Sequence, residues 1–347
     1  MSTDGISEVL FERRGAIGLV TLNRPAALNA LTERMCVAMD GELARWQDDP
    51  AVHAVVVRGA GERAFCAGGD IRALYDAGRA GGTAATDFYR REYRLNARIK
   101  HFPKAYVALL HGIVMGGGVG VSVHGSHRIA DATALFAMPE TAIGLFPDVG
   151  GSWFLPRLPG QIGMYLALTG ARLKLADMAY TGIATHCVAR SDWEALTERL
   201  AKGTPVGAAL TDLEREPDVP PLAERRAIID RCFAENSAEA VLAALDREND
   251  AWAASAAATI RTKSPTSLKI SFRELREGSR LSFDDCMQME FRMVSRVMDG
   301  HDLFEGVRAT IIDKDKAPAW RPATLPEVTD AEVDEYFAPL GERELAL

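Results

Sequence analysis

Two carboxylates, Glu140 and Asp148, stand inside an apolar, glycine-punctuated run from Phe136 to Gly151, a setting in which acidic side chains can do acid-base or nucleophilic work. Each has a plainer reading by itself. Pro139 suits the first position of a helix, which puts Glu140 in the first turn as an acid that complements the helix dipole. Asp148 follows Pro147 and precedes Gly150-Gly151, the pattern of a turn or N-cap residue. It is the pair, rather than either residue, that points to chemistry.

Two glycine-rich segments upstream suggest where such carboxylates would act. Phe65-Cys-Ala-Gly-Gly-Asp70 places Gly68 and Gly69 just before a helix-forming stretch. His111-Gly-Ile-Val-Met-Gly116 runs on through Gly117, Gly118 and Gly120 after a strand. Glycine lets the backbone approach a ligand closely and leaves N–H groups free to point at it. Two such loops could direct two backbone donors at one carbonyl oxygen, forming an oxyanion hole, although either alone reads as a tight turn. A third segment, Gly59-Ala-Gly61, mimics a dinucleotide fingerprint but lacks the long helix and distant acid that fingerprint needs. No Gly-Lys-Ser/Thr P-loop occurs. His111, His124 and His186 lack metal-ligand spacing, and Cys66 has no base placed for it. Packing or hydrogen-bonding roles are expected for all four, with no metal.

The 347 residues are 48% hydrophobic and 25% charged, enough for a sizeable core. A formal net charge of −8 argues against a general nucleic-acid or anionic-membrane surface. No apolar run approaches the roughly 20 residues of a membrane helix. Five dispersed cysteines without a Cys-x-x-Cys pair suit reduced thiols, and the opening Met-Ser-Thr-Asp-Gly-Ile-Ser-Glu has neither signal nor transit character. A cytoplasmic protein is expected.

The elements that must position these residues follow from hydrophobic periodicity. Strands are expected at Ile17 to Leu22, Val52 to Arg58 and Tyr106 to Leu110, with shorter ones at Arg128 to Ile129 and Ala134 to Ala137. Thr32 caps a helix to about Trp46, with Met35, Met39, Leu43 and Trp46 on one face. Strands interleaved with helices indicate an α/β domain. After about Gln161 helices dominate: Trp193 to Leu200, Leu222 to Phe233, Ala238 to Leu245 and Leu281 to Met298. The Gly203-Thr-Pro205 and Pro217 to Pro221 stretches read as a linker, giving an α/β core over 1–205 and a helical region over 206–347.

Leu22-Asn-Arg-Pro25, Leu28-Asn-Ala-Leu31, Ala64-Phe-Cys-Ala-Gly-Gly-Asp70-Ile71, the triple glycine and Pro139-Glu140 together resemble the enoyl-CoA hydratase/isomerase (crotonase) superfamily. Further segments are similar to a hydrolase branch that acts on 3-hydroxyisobutyryl-CoA in valine breakdown. These are Arg91-Glu92-Tyr93, Met115 to Gly125, Phe136 to Gly151, Gly182 to His186, Ser264 to Ile270, Gly300 to Asp302, Glu305 to Arg308 and Ile312 to Asp315. The resemblance spans nearly the whole chain. It implies a crotonase-like α/β spiral of repeated strand-strand-helix units with a helical C-terminal region. It also implies a short acyl-CoA substrate, no metal or redox cofactor because coenzyme A arrives with the substrate, and, by analogy of fold, a homo-oligomer.

By the same resemblance the N–H groups of Gly69 and Gly117 hold the thioester oxygen, and Glu140 attacks it or activates water. Asp148 orients water or binds the substrate hydroxyl, which Glu92 also contacts. Without the resemblance Glu92 reads as a solvated helix carboxylate. Arg24, Ala27, Leu28, Gly68, Asp70 and Ile71 fall at coenzyme A positions, Arg24 as a candidate cation for its phosphates. Arg308, Lys314 and Lys316 could meet those phosphates by charge alone, although charged tails usually form solvated faces. The departure is at Gly120. Hydratases of this superfamily typically carry a glutamate there, two residues beyond the triple glycine, whereas Asp148 stands where they have glycine. Chemistry is therefore expected at the thioester carbonyl rather than at the α,β carbons. Two alternatives stay open, an enoyl-CoA hydratase or isomerase on the same fold and a non-catalytic acyl-CoA-binding protein.

Overall fold

Apolar runs without polar alternation, such as Ile-Gly-Leu-Val-Thr-Leu at 17–22 and Ala-Tyr-Val-Ala-Leu-Leu at 105–110, suit strands buried on both faces. Both are strands in the computed structural model, which describes residues 7–347. In chain order the strands are β1 (Val9–Arg14), β2 (Ile17–Leu22), β3 (Ala54–Gly59), β4 (Ala64–Cys66), β5 (Ala105–Leu110), β6 (Ile113–Met115), β7 (His127–Ala130), β8 (Leu135–Ala137), β9 (Leu173–Lys174) and β10 (His186–Cys187). The helices used below are α1 (Glu33–Asp48), α2 (Ile71–Ala80), α3 (Ala84–Lys100), α4 (Gly117–Gly120), α5 (Trp193–Ala201), α6 (Pro265–Gly278) and α7 (Phe283–Val297). Met1 to Ile6, which carry most of the expectation about a leader, lie outside the described residues.

The chain forms two compact units, each assembled from three stretches. The first, residues 1–69, 94–136 and 173–221, holds the sheets. One has the strand order β1-β2-β3-β5-β7-β10 and is parallel apart from the β1–β2 hairpin. The other runs β4-β6-β8-β9. Successive chain segments therefore give β3, β5 and β7 to one sheet and β4, β6 and β8 to the other, turning into helix each time. This is the strand-strand-helix repeat that the sequence implied. On one sheet face Trp193, Leu196 and Leu200 of α5 join Ile17, Leu19, Val56, Val107 and Leu109 in a continuous core. The Thr32 side chain caps α1 by accepting from Met35 N, and Met35, Met39, Leu43 and Trp46 are buried as their spacing requires.

The second unit, residues 70–93, 137–172 and 222–347, is built mainly of helices. Ser264 and Ser282 cap α6 and α7. Both helices bury broad faces, and those faces include Glu274 and Glu290. The units thus cut across the expected division at residue 205. The stretches around α2, the first half of α3 and 137–172 pack on the C-terminal helices. For example, Tyr93 meets Phe291 edge-on, with ring centroids 6.3 Å apart. Contacts this distant in sequence leave no mark in local composition. Among the described residues no helix is long and apolar enough to cross a membrane.

Candidate active site

Within the first unit, the two glycine loops leave adjacent strands. β4 and β6 pair in parallel, with Ala64 opposite Ile113 and Cys66 opposite Val114, so Gly68-Gly69 and Gly116-Gly117 emerge side by side. A Cβ placed on Gly68, whose φ is +118°, would lie 3.8 Å from Gly117 N. One placed on Gly118 would lie 2.2 Å from the Cys66 carbonyl oxygen, so only glycine allows this approach. Gly117 opens α4, and the first N–H groups of a helix have no acceptor within it. Both loops can therefore present backbone donors to one ligand atom.

The residues of this unit expected to meet coenzyme A are tied to the same loops. Pro25–Ala27 is a single 3-10 turn, and Leu28 and Asn29 follow with φ of +54° and +57°. Asn29, buried and given no role by the sequence reading, holds the turn. Its Oδ1 accepts from Arg24 N at 2.9 Å, and its Nδ2 donates to the Ala60 and Ala64 carbonyls, each at 2.9 Å. Leu28 O accepts from Ala67 N at 3.0 Å. Arg24 donates to the Ala30 carbonyl at 2.6 Å and faces Glu8 at 3.5 Å, so its cation is already partly engaged.

The second unit gathers the carboxylates. Glu92 on α3, Glu140 in the 3-10 turn Glu140–Ile143, and Asp148 are 2%, 5% and 4% exposed. The solvated-helix reading of Glu92 is thus overturned: it shares the inward face of α3 with Tyr89 and Tyr93, at the i, i+3, i+4 spacing of one helix face. Tyr93 Oη donates to Asp148 Oδ2 at 2.9 Å, so Asp148 is held by its side chain and is no simple cap. One oxygen each of Glu92 and Glu140 lacks any hydrogen-bond partner. Buried polar atoms are rarely left so, and these two can accept from a donor on a ligand or hold a proton. Asp70, N-cap of α2, accepts from Ala73 N, and Ile71 opens that helix.

Burial, with no opposing cation, sets the electrostatics of this cluster. It raises Glu92 and Glu140 well above the usual carboxylate range, helped by the nearby charge of Asp148. Asp148 is also raised by burial but is held at about 7 with the help of the Tyr93 hydroxyl, which stabilises its charged form. Asp148 is therefore the group in the trio that most readily carries the negative charge at neutral pH. Glu274 and Glu290, both fully buried, extend the cluster: Glu274 is raised far above its ordinary value, and Glu290 to about 8.

Sequence reasoning missed Tyr93, Glu274 and Glu290 as functional candidates. The available signal was periodicity. Glu290 lies three and four residues from Met287, Cys286, Met293 and Val294, placing an acid on the apolar stripe of α7. Arg308 is corrected in the opposite direction. Its guanidinium is enclosed by Glu305, Asp313 and Asp315 at 2.8, 2.7 and 2.6 Å and has no charge left for a phosphate. His111 bonds the Gly61 carbonyl at 3.0 Å and His186 stacks on His127, hydrogen-bonding and packing roles as expected. Among the described residues no group of three His, Cys, Asp or Glu side chains is arranged to hold a metal ion.

Two outcomes follow from this electrostatic arrangement. Removing the hydroxyl in Tyr93→Phe should raise Asp148 above about 7, measured by infrared titration of its carboxylate. An unchanged midpoint would mean that the hydrogen bond does not support the charge. For Glu274, the folded pKa lies above the unfolded one, so its contribution to stability is greatest below the ordinary carboxyl range. That contribution is lost as pH rises from about 4.3 toward the folded value. Glu274→Gln carries no such proton, so its Tm relative to the native chain should improve steadily between pH 5 and pH 8. A constant difference across that range would show Glu274 to be unperturbed.

The chain matches the family model for enoyl-CoA hydratase/isomerase over residues 17–337. A curated relative from Danio rerio, 3-hydroxyisobutyryl-CoA hydrolase, mitochondrial, is 48% identical, covering 100% of this chain and 94% of that protein. A solved structure of a carnitinyl-CoA dehydratase from Mycobacterium thermoresistibile superposes with a TM-score of 0.94 at 43% identity, covering 98% of this chain and 99% of that one. An enoyl-CoA hydratase from Rhodobacter sphaeroides gives 0.92 at 41% identity, with 98% and 100% covered. The spiral of paired strands is therefore the crotonase fold, and the chain belongs to the enoyl-CoA hydratase/isomerase family.

Proposed function

We propose that this protein hydrolyses the thioester of 3-hydroxyisobutyryl-CoA to the free acid and coenzyme A, a step of valine breakdown. The observation that carries the reading is the set of acidic positions. Glycine stands at 120, where a hydratase needs a proton-transferring glutamate, while Asp148 joins Glu140 and Glu92 in one buried cluster. The curated relatives named as hydrolases of this ester support it along the full length of the chain. The two solved relatives are described as a dehydratase and a hydratase, so hydration of an enoyl-CoA is the competing outcome to test.

In this reading the N–H groups of Gly69 and Gly117 stabilise the developing oxyanion, each donor contributing about 3 kcal/mol to lowering the barrier. Glu140 makes the new bond, as nucleophile or by activating water, after losing the proton that burial favours. Asp148 carries the resident charge and orients the water or substrate hydroxyl, and Glu92 accepts from that hydroxyl at its unpartnered oxygen. Arg24, Ala27, Leu28, Gly68, Asp70 and Ile71 lie along coenzyme A. The leaving thiolate has a parent pKa of about 8.5, so it departs without a strong acid beside it. Five buried thiols suit a reducing compartment, the expected cytoplasm or the mitochondrion named for the curated relatives.

A thiol-release assay should show free coenzyme A from 3-hydroxyisobutyryl-CoA, with crotonyl-CoA hydrated poorly. Fast hydration without thiol release from any ester would reverse the assignment. Glu140→Gln should lower kcat by roughly 10²–10⁴-fold, and near-normal turnover would remove it from the mechanism. Asp148→Asn should hurt the hydroxylated ester more than isobutyryl-CoA, because a site built around a hydroxyl loses its pairing when that hydroxyl is absent.

A further inference from the structure

The turn that carries Asp148 is strained and externally held. Val149 takes a φ of +51°, rare for a β-branched residue, and Gly150 follows at +87°. The turn directs the Gly150 and Ser152 N–H groups toward one point, a concavity suited to an anion. Glu290 of α7 fills it. Its Oε2 accepts from Gly150 N at 2.8 Å, and its Oε1 accepts from Ser152 N at 3.0 Å and from Ser152 Oγ at 2.5 Å. The next residue of the helix, Phe291, packs edge-on against Tyr93, whose hydroxyl bonds Asp148. α7 therefore fixes Asp148 twice, through its backbone by Glu290 and through its side chain by way of Phe291 and Tyr93.

We infer that Glu290 is a positioning residue: it clamps the strained 149–152 turn and thereby aims the Asp148 carboxylate at the substrate hydroxyl. The inference rests on the proposed role of Asp148. Three donors converge on the two side-chain oxygens of Glu290, more than an amide isostere can pair. Gln keeps one acceptor oxygen and presents an NH₂ group to a donor, and Asp is one methylene too short. The three hydrogen bonds of Glu290 all go to the turn beside Asp148, which makes Asp148 its shortest route to the substrate.

The test is a double-mutant cycle of Glu290→Gln and Asp148→Asn. Kinetics are read on 3-hydroxyisobutyryl-CoA and isobutyryl-CoA, and amide hydrogen exchange is followed across 148–152. Glu290→Gln should lower kcat/KM for the hydroxylated ester by roughly 10–100-fold, the usual effect of a misplacement near 1 Å. The loss should be smaller on isobutyryl-CoA and nearly vanish once Asp148 is Asn. Exchange at 148–152 should accelerate. Equal losses on both esters, full additivity with Asp148→Asn, or unchanged exchange would overturn the inference. If the native protein releases no coenzyme A from either ester, the functional reading fails, while the exchange result still decides whether Glu290 clamps the turn. If Glu290→Gln does not fold, Ser152→Ala removes one donor from the same carboxylate. It should then show the same selectivity and non-additivity at reduced size, and additivity there would count against the clamp.

Discussion

The second unit is organised by the cost of burying acidic side chains without a cation. Moving one ionised carboxylate out of water costs several kcal/mol even after the protein relaxes. Glu92, Glu140, Asp148, Glu274 and Glu290 all face that cost together. The hydrogen bonding that each receives differs. Glu290 is stabilised by three donors, Asp148 by a tyrosine hydroxyl, and Glu274 by no hydrogen bond at all. Protons are therefore shared unequally, and the group with the best-placed neutral donor in the Glu92–Glu140–Asp148 trio keeps the charge. The elements that supply these donors, α3, α7 and the turn at 149–152, must hold their places for that order to survive.

Much of the fold was legible because the relevant physics is local. The apolar run at 17–22 and the Thr32 cap each announce an element from a few adjacent residues, and both appear with nearly the expected limits. The glycine loops were also readable, since a backbone that must approach a neighbour within contact distance admits only glycine. What escaped was long-range. The alternation of stretches between two units depends on residues as distant as Tyr93 and Phe291, and no composition shift marks where one unit yields to the other. Arg308 illustrates the same limit from the surface. Its charge is obvious in sequence, but its enclosure by three carboxylates is a property of folded geometry.

Glu290 and Glu274 lie between these extremes. Their helical register announces that they face inward, a position where an acid is costly and therefore informative. Register does not say what they meet there. Glu290 finds three donors from one turn, whereas Glu274 finds none. The same residue type on two helices, with the same inward orientation, thus acquires opposite hydrogen-bonding states from tertiary context alone.

The family hosts both hydration and thioester cleavage on one scaffold, and the difference reduces to where a proton must go. Adding water across a carbon–carbon double bond requires a proton delivered to carbon, which demands a second well-placed acid. Cleaving a thioester releases a thiolate whose parent pKa is about 8.5, a leaving group that tolerates weak assistance. Glycine at 120 removes the acid that only the first reaction needs. Asp148, anchored by Tyr93 and the turn on Glu290, adds a charge and an acceptor that the second can use to orient water or a hydroxyl. In the proposed reading, a single lost side chain and a single gained one redirect the chemistry, while the glycine loops polarise the carbonyl as either reaction requires.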